Sequence, residues 1–235
     1  MALPWETLAS VPTPDGVLDL RRRGAKDFLI TIGGRILMSS AAHRSEDALA
    51  KLACAGLRKK RRARVLVSGL GMGFTLRAAL DELAEDADVT VAELNAVVVE
   101  WCKGPLAALT AEAASDPRVT VEIVDVSKRI AGVARDRGAP RFDAVVLDMY
   151  QGPQNIVRAD DPLYGWVAVE RTKEALAADG IFAIWCEGAS PGFERNLRAA
   201  GFHYELERAG RGSGQHHVYV ARASAPAPAR PTKKR

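Results

Sequence analysis

Residues 64–77, RVLVSGLGMGFTLR, set Gly69, Gly71 and Gly73 at alternate positions between a short apolar run and a segment with helical spacing. Glycine lets the backbone turn sharply and lets a ligand approach the main chain, and free N–H groups at a helix start favour negative charge. A strand, a glycine turn and a helix in that order begin a nucleotide-binding unit. Three acids follow at the ends of later apolar runs: Glu93, 20 residues beyond Gly73, then Asp125, then Asp148. In an open parallel sheet ligands lie at the carboxyl ends of the strands, so these residues fall on one side of one cleft. Glu93 has the spacing of a carboxylate that accepts hydrogen bonds from two ribose hydroxyls. Asp125, followed by Val126 and Ser127, reads equally as a partner for an adenine amino group or as a helix cap.

The same positions select the nucleotide. A dinucleotide fingerprint requires glycine or alanine one place after Gly73, where Phe74 stands, and the Gly-Lys-Ser/Thr of a phosphate-gripping loop is absent. A ligand with adenosine and no phosphates fits better, with Glu93 on the ribose, Asp125 on the adenine and the glycine turn admitting a small zwitterionic tail. S-adenosylmethionine is such a ligand. Asp148 is then placed to accept a proton from, or fix the lone pair of, an amine or hydroxyl. Tyr150 and Tyr164 follow in the next loop and helix start, where each reads as an aromatic face for the sulfonium or as a packed loop residue. His216 and His217 alternate on a strand and point to opposite faces, so no metal site is expected. Trp101, Trp166 and Trp185 fall within core elements and are assigned to packing.

These residues need a scaffold, and the rest of the chain supplies an alternation of strands and helices. Strands are expected at Val65–Ser68, Val89–Ala92, Val119–Val124, Phe142–Leu147 and Gly180–Trp185. Helices are expected at Phe74–Leu83, Val97–Cys102, Leu106–Ala114, Ile130–Arg135, Val167–Ala177 and Glu194–Ala200. That order predicts an α/β fold, a Rossmann-like, mostly parallel sheet with helices on both faces. Phe202–Glu207 and His217–Ala221 have no helix between them and predict a closing antiparallel pair around a glycine-rich loop at 210–214. Before the main domain, Val17–Leu20, Phe28–Ile32 and Ile36–Met38 read as strands, the last two joined at Gly33-Gly34. Residues 1–15, with Pro4, Pro12 and Pro14, read as irregular chain, and a helix opens near Ser45. The expected organisation is a small N-terminal β hairpin region at 1–38, a Rossmann-like domain at 39–223 and a disordered basic tail at 224–235.

Composition agrees with one sizeable domain: 235 residues, 48% hydrophobic and 26% charged. No apolar run approaches the roughly 18 residues of a membrane span, and the opening MALPWETLAS lacks a basic region followed by an apolar one, so a cytoplasmic location is expected. Cys54, Cys102 and Cys186 are widely spaced and read as buried thiols. The net charge is +4, and basic residues concentrate in runs at Arg21–Arg23, Arg58–Arg62 and Lys233–Arg235, read as solvated surface rather than as a nucleic-acid interface.

Over residues 28 to 222 the chain resembles the spermidine synthase family within the class I methyltransferase fold. Ala92-Glu93-Leu94-Asn95 is similar to the family's Val-Glu-Ile-Asp at Glu93, and Asp125 to its adenine-contacting Asp. Phe142 to Asp148 with Gly152-Pro153 resembles its FDVIIxD strand and Gly-Pro, and Ala177 to Trp185 its LKPGGIF strand. The resemblance implies a donor site of Gly69, Gly71, Gly73, Glu93, Leu94, Asp125, Val126 and Asp148. It implies Asp148 as the residue that orients or deprotonates an attacking amine, with Tyr150 beside it. Acceptor-side candidates are His43 over the cleft, Glu46, Gln151 and Tyr164. Family members are often dimers or tetramers, which implies a homodimer here.

The chain also departs from that pattern. The family's glycine turn carries an acid where Met72 stands; its second polyamine acid is Gln151 here; and its Tyr-x-Glu becomes Arg44-Ser45-Glu46. Ammonium groups in a desolvated site need opposing carboxylates. Methyl transfer from S-adenosylmethionine to a small amine or hydroxyl is therefore the first expectation. Aminopropyl transfer from decarboxylated S-adenosylmethionine is the second, and a non-catalytic nucleoside-binding interaction protein the third.

Overall fold

A computed structural model describes residues 3–209 and 216–223. The glycine-rich loop expected at 210–214 and the tail expected at 224–235 lie outside the described residues. The chain opens with β1 (Glu6–Thr13), β2 (Gly16–Arg23), β3 (Asp27–Ile32) and β4 (Arg35–Ser39), which pair in sequence as a four-stranded antiparallel sheet. It has one strand more than the sequence reading: β1 forms where prolines suggested irregular chain. Pro12 is tolerated because β1 pairs only with β2 and stands at the edge of the sheet.

The main sheet follows. Its elements are α1 (Arg44–Cys54), β5 (Arg64–Ser68), α2 (Phe74–Glu82), β6 (Asp88–Glu93), α3 (Ala96–Lys103), β7 (Val119–Ile123), α4 (Val126–Arg135), β8 (Phe142–Leu147), α5 (Trp166–Ala175), β9 (Leu176–Cys186), α6 (Pro191–Ala199), β10 (Phe202–Ala209) and β11 (His216–Ala223). The seven strands lie in the order β10-β11-β9-β8-β5-β6-β7. β8, β5, β6, β7 and β9 are mutually parallel, while β11 runs antiparallel to both β9 and β10. The expected helix at Leu106–Ala114 is instead a pair of 3-10 turns, because Ala111 and Glu112 adopt left-handed backbone at φ 47° and 58°.

The central strands are buried on both faces, as parallel strands between helix layers must be. Val65 and Val67 face one core with Leu49, Leu76, Val89 and Val146; Leu66 faces the other with Phe142, Phe182, Phe193 and Tyr219. Leu18, Leu20, Phe28 and Ile30 of the N-terminal sheet belong to the first core, and burying each contributes about 1.5–3 kcal/mol. The N-terminal sheet thus shares the main domain's first core, and Met38 of β4 touches the glycine turn. The three cysteines are free and buried. Trp101 is packed as expected, whereas Trp166 is half exposed: α5 turns Val169, Thr172 and Ala175 to the core and leaves its first residue at the surface.

Gly152 shows how tightly the loop after β8 folds back. A Cβ there would stand 2.7 Å from both Cys186 Cα and Trp185 O, which are main-chain atoms that cannot swing aside. Gly152→Ala should cost about 1–3 kcal/mol. Gly132→Ala, in α4 with open space around it, should raise stability by about 0.5–1 kcal/mol. Thermal unfolding of the two variants tests the pair, and equal melting temperatures would refute the packing argument.

Candidate active site

A cleft of about 1130 Å³ lies between the carboxyl ends of the parallel strands and the N-terminal sheet. From β5 the chain steps outward through β6 to β7, and from β8 outward the other way to β9, so strand order reverses between β5 and β8. Gly69 follows β5 and Asp148 follows β8, which puts both at the reversal point where such sheets bind ligands.

The glycine turn is left-handed at Gly69, Gly71 and Gly73, with φ of 66°, 52° and 86°. At Gly71 the need is also spatial: a Cβ would meet Met38 Sδ at 3.0 Å, because Met38 reaches over from β4. The Met38 sulfur accepts the Met72 N–H at 3.1 Å. Met72 itself is fully buried and lies outside the cleft lining. Glu93, only 6% exposed, braces the turn, with Oε2 accepting the Leu70 N–H at 2.7 Å and Oε1 the Asn95 N–H at 2.8 Å. Each oxygen keeps a further lone pair for a ligand hydroxyl.

Asp148 is fixed from two sides. Its backbone N–H donates to Ser68 Oγ at 2.8 Å, and Thr75 Oγ1, on the first turn of α2, donates to its Oδ2. Removal of the carboxyl from water pushes its pKa up to about 7; the Thr75 hydrogen bond opposes that rise and the nearby charge of Glu46 adds to it. Glu46, buried at the cleft wall, accepts from Ser45 Oγ at 2.5 Å. His43 lies flat on Phe74 at 4.2 Å between ring centroids, with Nδ1 3.1 Å from Asp47 Oδ2.

Of the residues named from the sequence, the cleft lining brings together Gly69, Gly71, Glu93, Asp148, Tyr150, Gln151, His43 and Glu46. Gly73, Leu94, Asp125, Val126 and Tyr164 are not in it. Gly73 caps α2, Leu94 is exposed and Val126 is buried in the second core. Asp125 caps α4, its Oδ1 accepting from the Ser127 N–H at 2.7 Å, the Lys128 N–H at 3.3 Å and Ser127 Oγ at 2.5 Å. Partial burial raises its pKa, but these hydrogen bonds and the Lys128 charge outweigh that and hold it below the ordinary carboxylate range. Tyr164 is buried, so its hydroxyl pKa is pushed up; it donates to Gln151 O at 3.2 Å and meets Phe193 edge-on, supporting the loop from behind.

Sequence reasoning did not assign Ser68, Thr75, Met38, Arg44, Asp47, Trp185, Glu187 and His216 to the cleft, yet all line it. Trp185 packs against the core as expected, but it is half-buried and also lines the cleft, where it meets His216 edge-on at 4.9 Å. The signal was present, since Trp185 and Glu187 stand at the carboxyl end of β9 as Asp148 does at that of β8. Among the described residues no group of three His, Cys, Asp or Glu side chains is placed to hold a metal ion, and no helix is long and apolar enough to cross a membrane.

No family model and no curated protein matches this sequence. Solved structures do match its fold. A spermidine synthase in complex with the transition state analogue AdoDATO superimposes with a TM-score of 0.70 at 17% identity, covering 94% of this chain and 73% of the other. Spermidine synthase from Thermotoga maritima gives a TM-score of 0.70 at 16% identity with the same coverage. The architecture is thus a Rossmann-like sheet carrying an N-terminal antiparallel sheet. In particular, it is the fold of spermidine synthase.

The raised pKa of Asp148 has a consequence for stability. The native state keeps a proton that the unfolded chain releases, so this contribution is complete below about pH 4 and is lost as pH rises through about 7. Asp148→Asn cannot ionise. Urea unfolding should therefore show the variant gaining stability relative to wild type between pH 5 and pH 8, and a pH-independent difference would place the Asp148 pKa in the ordinary range.

Proposed function

We propose that the chain is a transferase that moves a carbon group from a sulfonium nucleoside to an amine, and that the group is aminopropyl, with decarboxylated S-adenosylmethionine as donor. One observation carries the reading: a desolvated Asp148 at the strand-order reversal, in a cleft whose wall also holds Glu46, Asp47, Glu93 and Glu187 against Arg44 as the one Lys or Arg among the described residues. A wall so rich in carboxylates suits a cationic acceptor. The likeness to spermidine synthase supports the same reading at the level of the fold.

The donor would supply an electrophilic carbon on a sulfonium, already a good leaving group. Glu93 and the glycine turn would hold its nucleoside half on the β5–β6 side. On the β8–β9 side, Asp148 would fix the acceptor nitrogen. As the nitrogen–carbon bond forms and the carbon–sulfur bond breaks, positive charge passes from sulfur to nitrogen, and Asp148 takes the proton that nitrogen sheds. A carboxyl with a pKa near 7 is a better acceptor for that proton than an ordinary one. Alignment of the two halves can contribute on the order of 7–11 kcal/mol.

Methyl transfer from S-adenosylmethionine is the second reading. It is favoured by Met38, which lines the cleft against Gly71, and by the buried Met72, since neither puts a carboxylate at the glycine turn where an aminopropyl ammonium would need one.

Incubation with either donor and a panel of amines, read by product mass, distinguishes the two. Turnover should rise with pH to a plateau above about 7, and Asp148→Asn should lower it by roughly 100-fold or more while donor binding persists. Full activity of that variant would remove Asp148 from the mechanism. Binding without product from any donor and amine would leave an interaction protein.

A further inference from the structure

The backbone amides of the glycine turn are nearly all engaged within the protein. Gly69 N–H donates to Ala92 O at 2.7 Å, Leu70 N–H to Glu93, Met72 N–H to Met38 Sδ, and Gly73 N–H to Leu70 O at 2.7 Å. Among the described residues only the Gly71 amide in this turn has no internal acceptor. Within residues 69–73 this leaves the Gly71 amide for an anion; the first-turn amides of α2, which carry no side-chain cap, are the other main-chain donors at this end of the cleft.

Among the described residues Arg44 is the one Lys or Arg on the cleft wall. It is exposed and forms no ion pair or side-chain hydrogen bond with another described residue, although Glu46, Asp47, Glu93, Asp148 and Glu187 also line the cleft. It is also the first residue of α1, where the helix dipole disfavours a positive charge, while Glu46 and Asp47 supply the favourable sign two and three places on. Helix stability therefore gives no reason for arginine at this position. The stacking of His43 on Phe74 sets the residue before Arg44 against the start of α2, beside the exit of the glycine turn.

We propose that Arg44 is the anchor for a carboxylate, so that the transferase site takes a carboxylated ligand. The inference rests on the reading of the cleft given above and narrows it. Guanidinium and carboxylate make paired, charge-assisted hydrogen bonds, and an unpaired arginine in an otherwise acidic cleft is the group that admits one anion among cations. The carboxylate has two sources. It belongs to the donor if the donor is intact S-adenosylmethionine, and the reaction is then methyl transfer. It belongs to the acceptor if the donor is decarboxylated, and the acceptor is then an amino acid with a side-chain amine rather than a simple diamine.

Calorimetric titration of the full chain separates these cases. Wild type, Arg44→Gln and Arg44→Lys are titrated with S-adenosylmethionine and its decarboxylated form, and then, with methylthioadenosine present, with ornithine and 1,4-diaminobutane. Arg44→Gln should weaken the carboxylated member of one pair by about tenfold or more and leave its decarboxylated partner within twofold, with partial recovery in Arg44→Lys. The pair that responds identifies the source. If Arg44→Gln affects both members of each pair equally, or neither, the inference is overturned, and the transferase reading survives wherever wild type binds a donor. If wild type binds neither donor, that reading falls, and this inference with it.

Discussion

Thr75 donates its hydroxyl proton to Asp148, and Asp148 in turn donates its backbone N–H to Ser68. These contacts join the end of β5, the first turn of α2 and the end of β8, the three pieces that meet where strand order reverses. A carboxyl drawn out of water would normally swing toward solvent or neutralise. Here its backbone is fixed by one hydroxyl and its side chain by another, so it stays in the cleft with its proton affinity raised. Glu93 does the corresponding work one strand over, holding the glycine turn by the Leu70 and Asn95 amides. Both acids are thus structural and chemical at once, and the cleft geometry follows from how they are held.

The N-terminal sheet completes the site. Leu18, Leu20, Phe28 and Ile30 on its inner face belong to the first core of the main domain, which ties the sheet to the cleft. Through Met38 it reaches the glycine turn and takes up the Met72 N–H, with the result that the turn meets a thioether rather than a carboxylate. Among the described residues the wall near Gly71 is apolar, the wall around Asp148 is acidic, and Arg44 is the single Lys or Arg. A ligand that satisfies all three is a zwitterionic or mixed-charge molecule.

Much of this was legible because local pattern and tertiary role coincide. The run FDAVVL is continuously apolar, which only a strand buried on both faces requires, and β8 spans those residues. Glu93 and Asp148 were identified by position, since strand ends carry ligands in any sheet of this type. Asp125 stood between two readings, and its hydrogen bonds to Ser127 and Lys128 show the capping one; its role toward a ligand belongs to the proposal. Contacts between distant segments were not legible. Met38 and Met72 are 34 residues apart, and nothing in either residue's neighbourhood signals the other. Trp185 ends an apolar run and packs against the core as that pattern implies, while the rule that locates Asp148 at the end of β8 also puts it at the cleft. β1 was lost to its prolines, which an edge strand accommodates.

The most direct test is the titration of Asp148 itself. Carbon-13 labelling of aspartate carboxyl groups, with the Asp148 signal assigned by its absence from Asp148→Asn, gives its pKa in the intact protein by nuclear magnetic resonance. A midpoint near pH 7 would confirm a carboxyl poised to take a proton at the point where the two halves of the sheet meet. A midpoint near pH 4, the ordinary value, would mean that the cleft is wet at its centre, and the account of how this site acts on an amine would have to be abandoned.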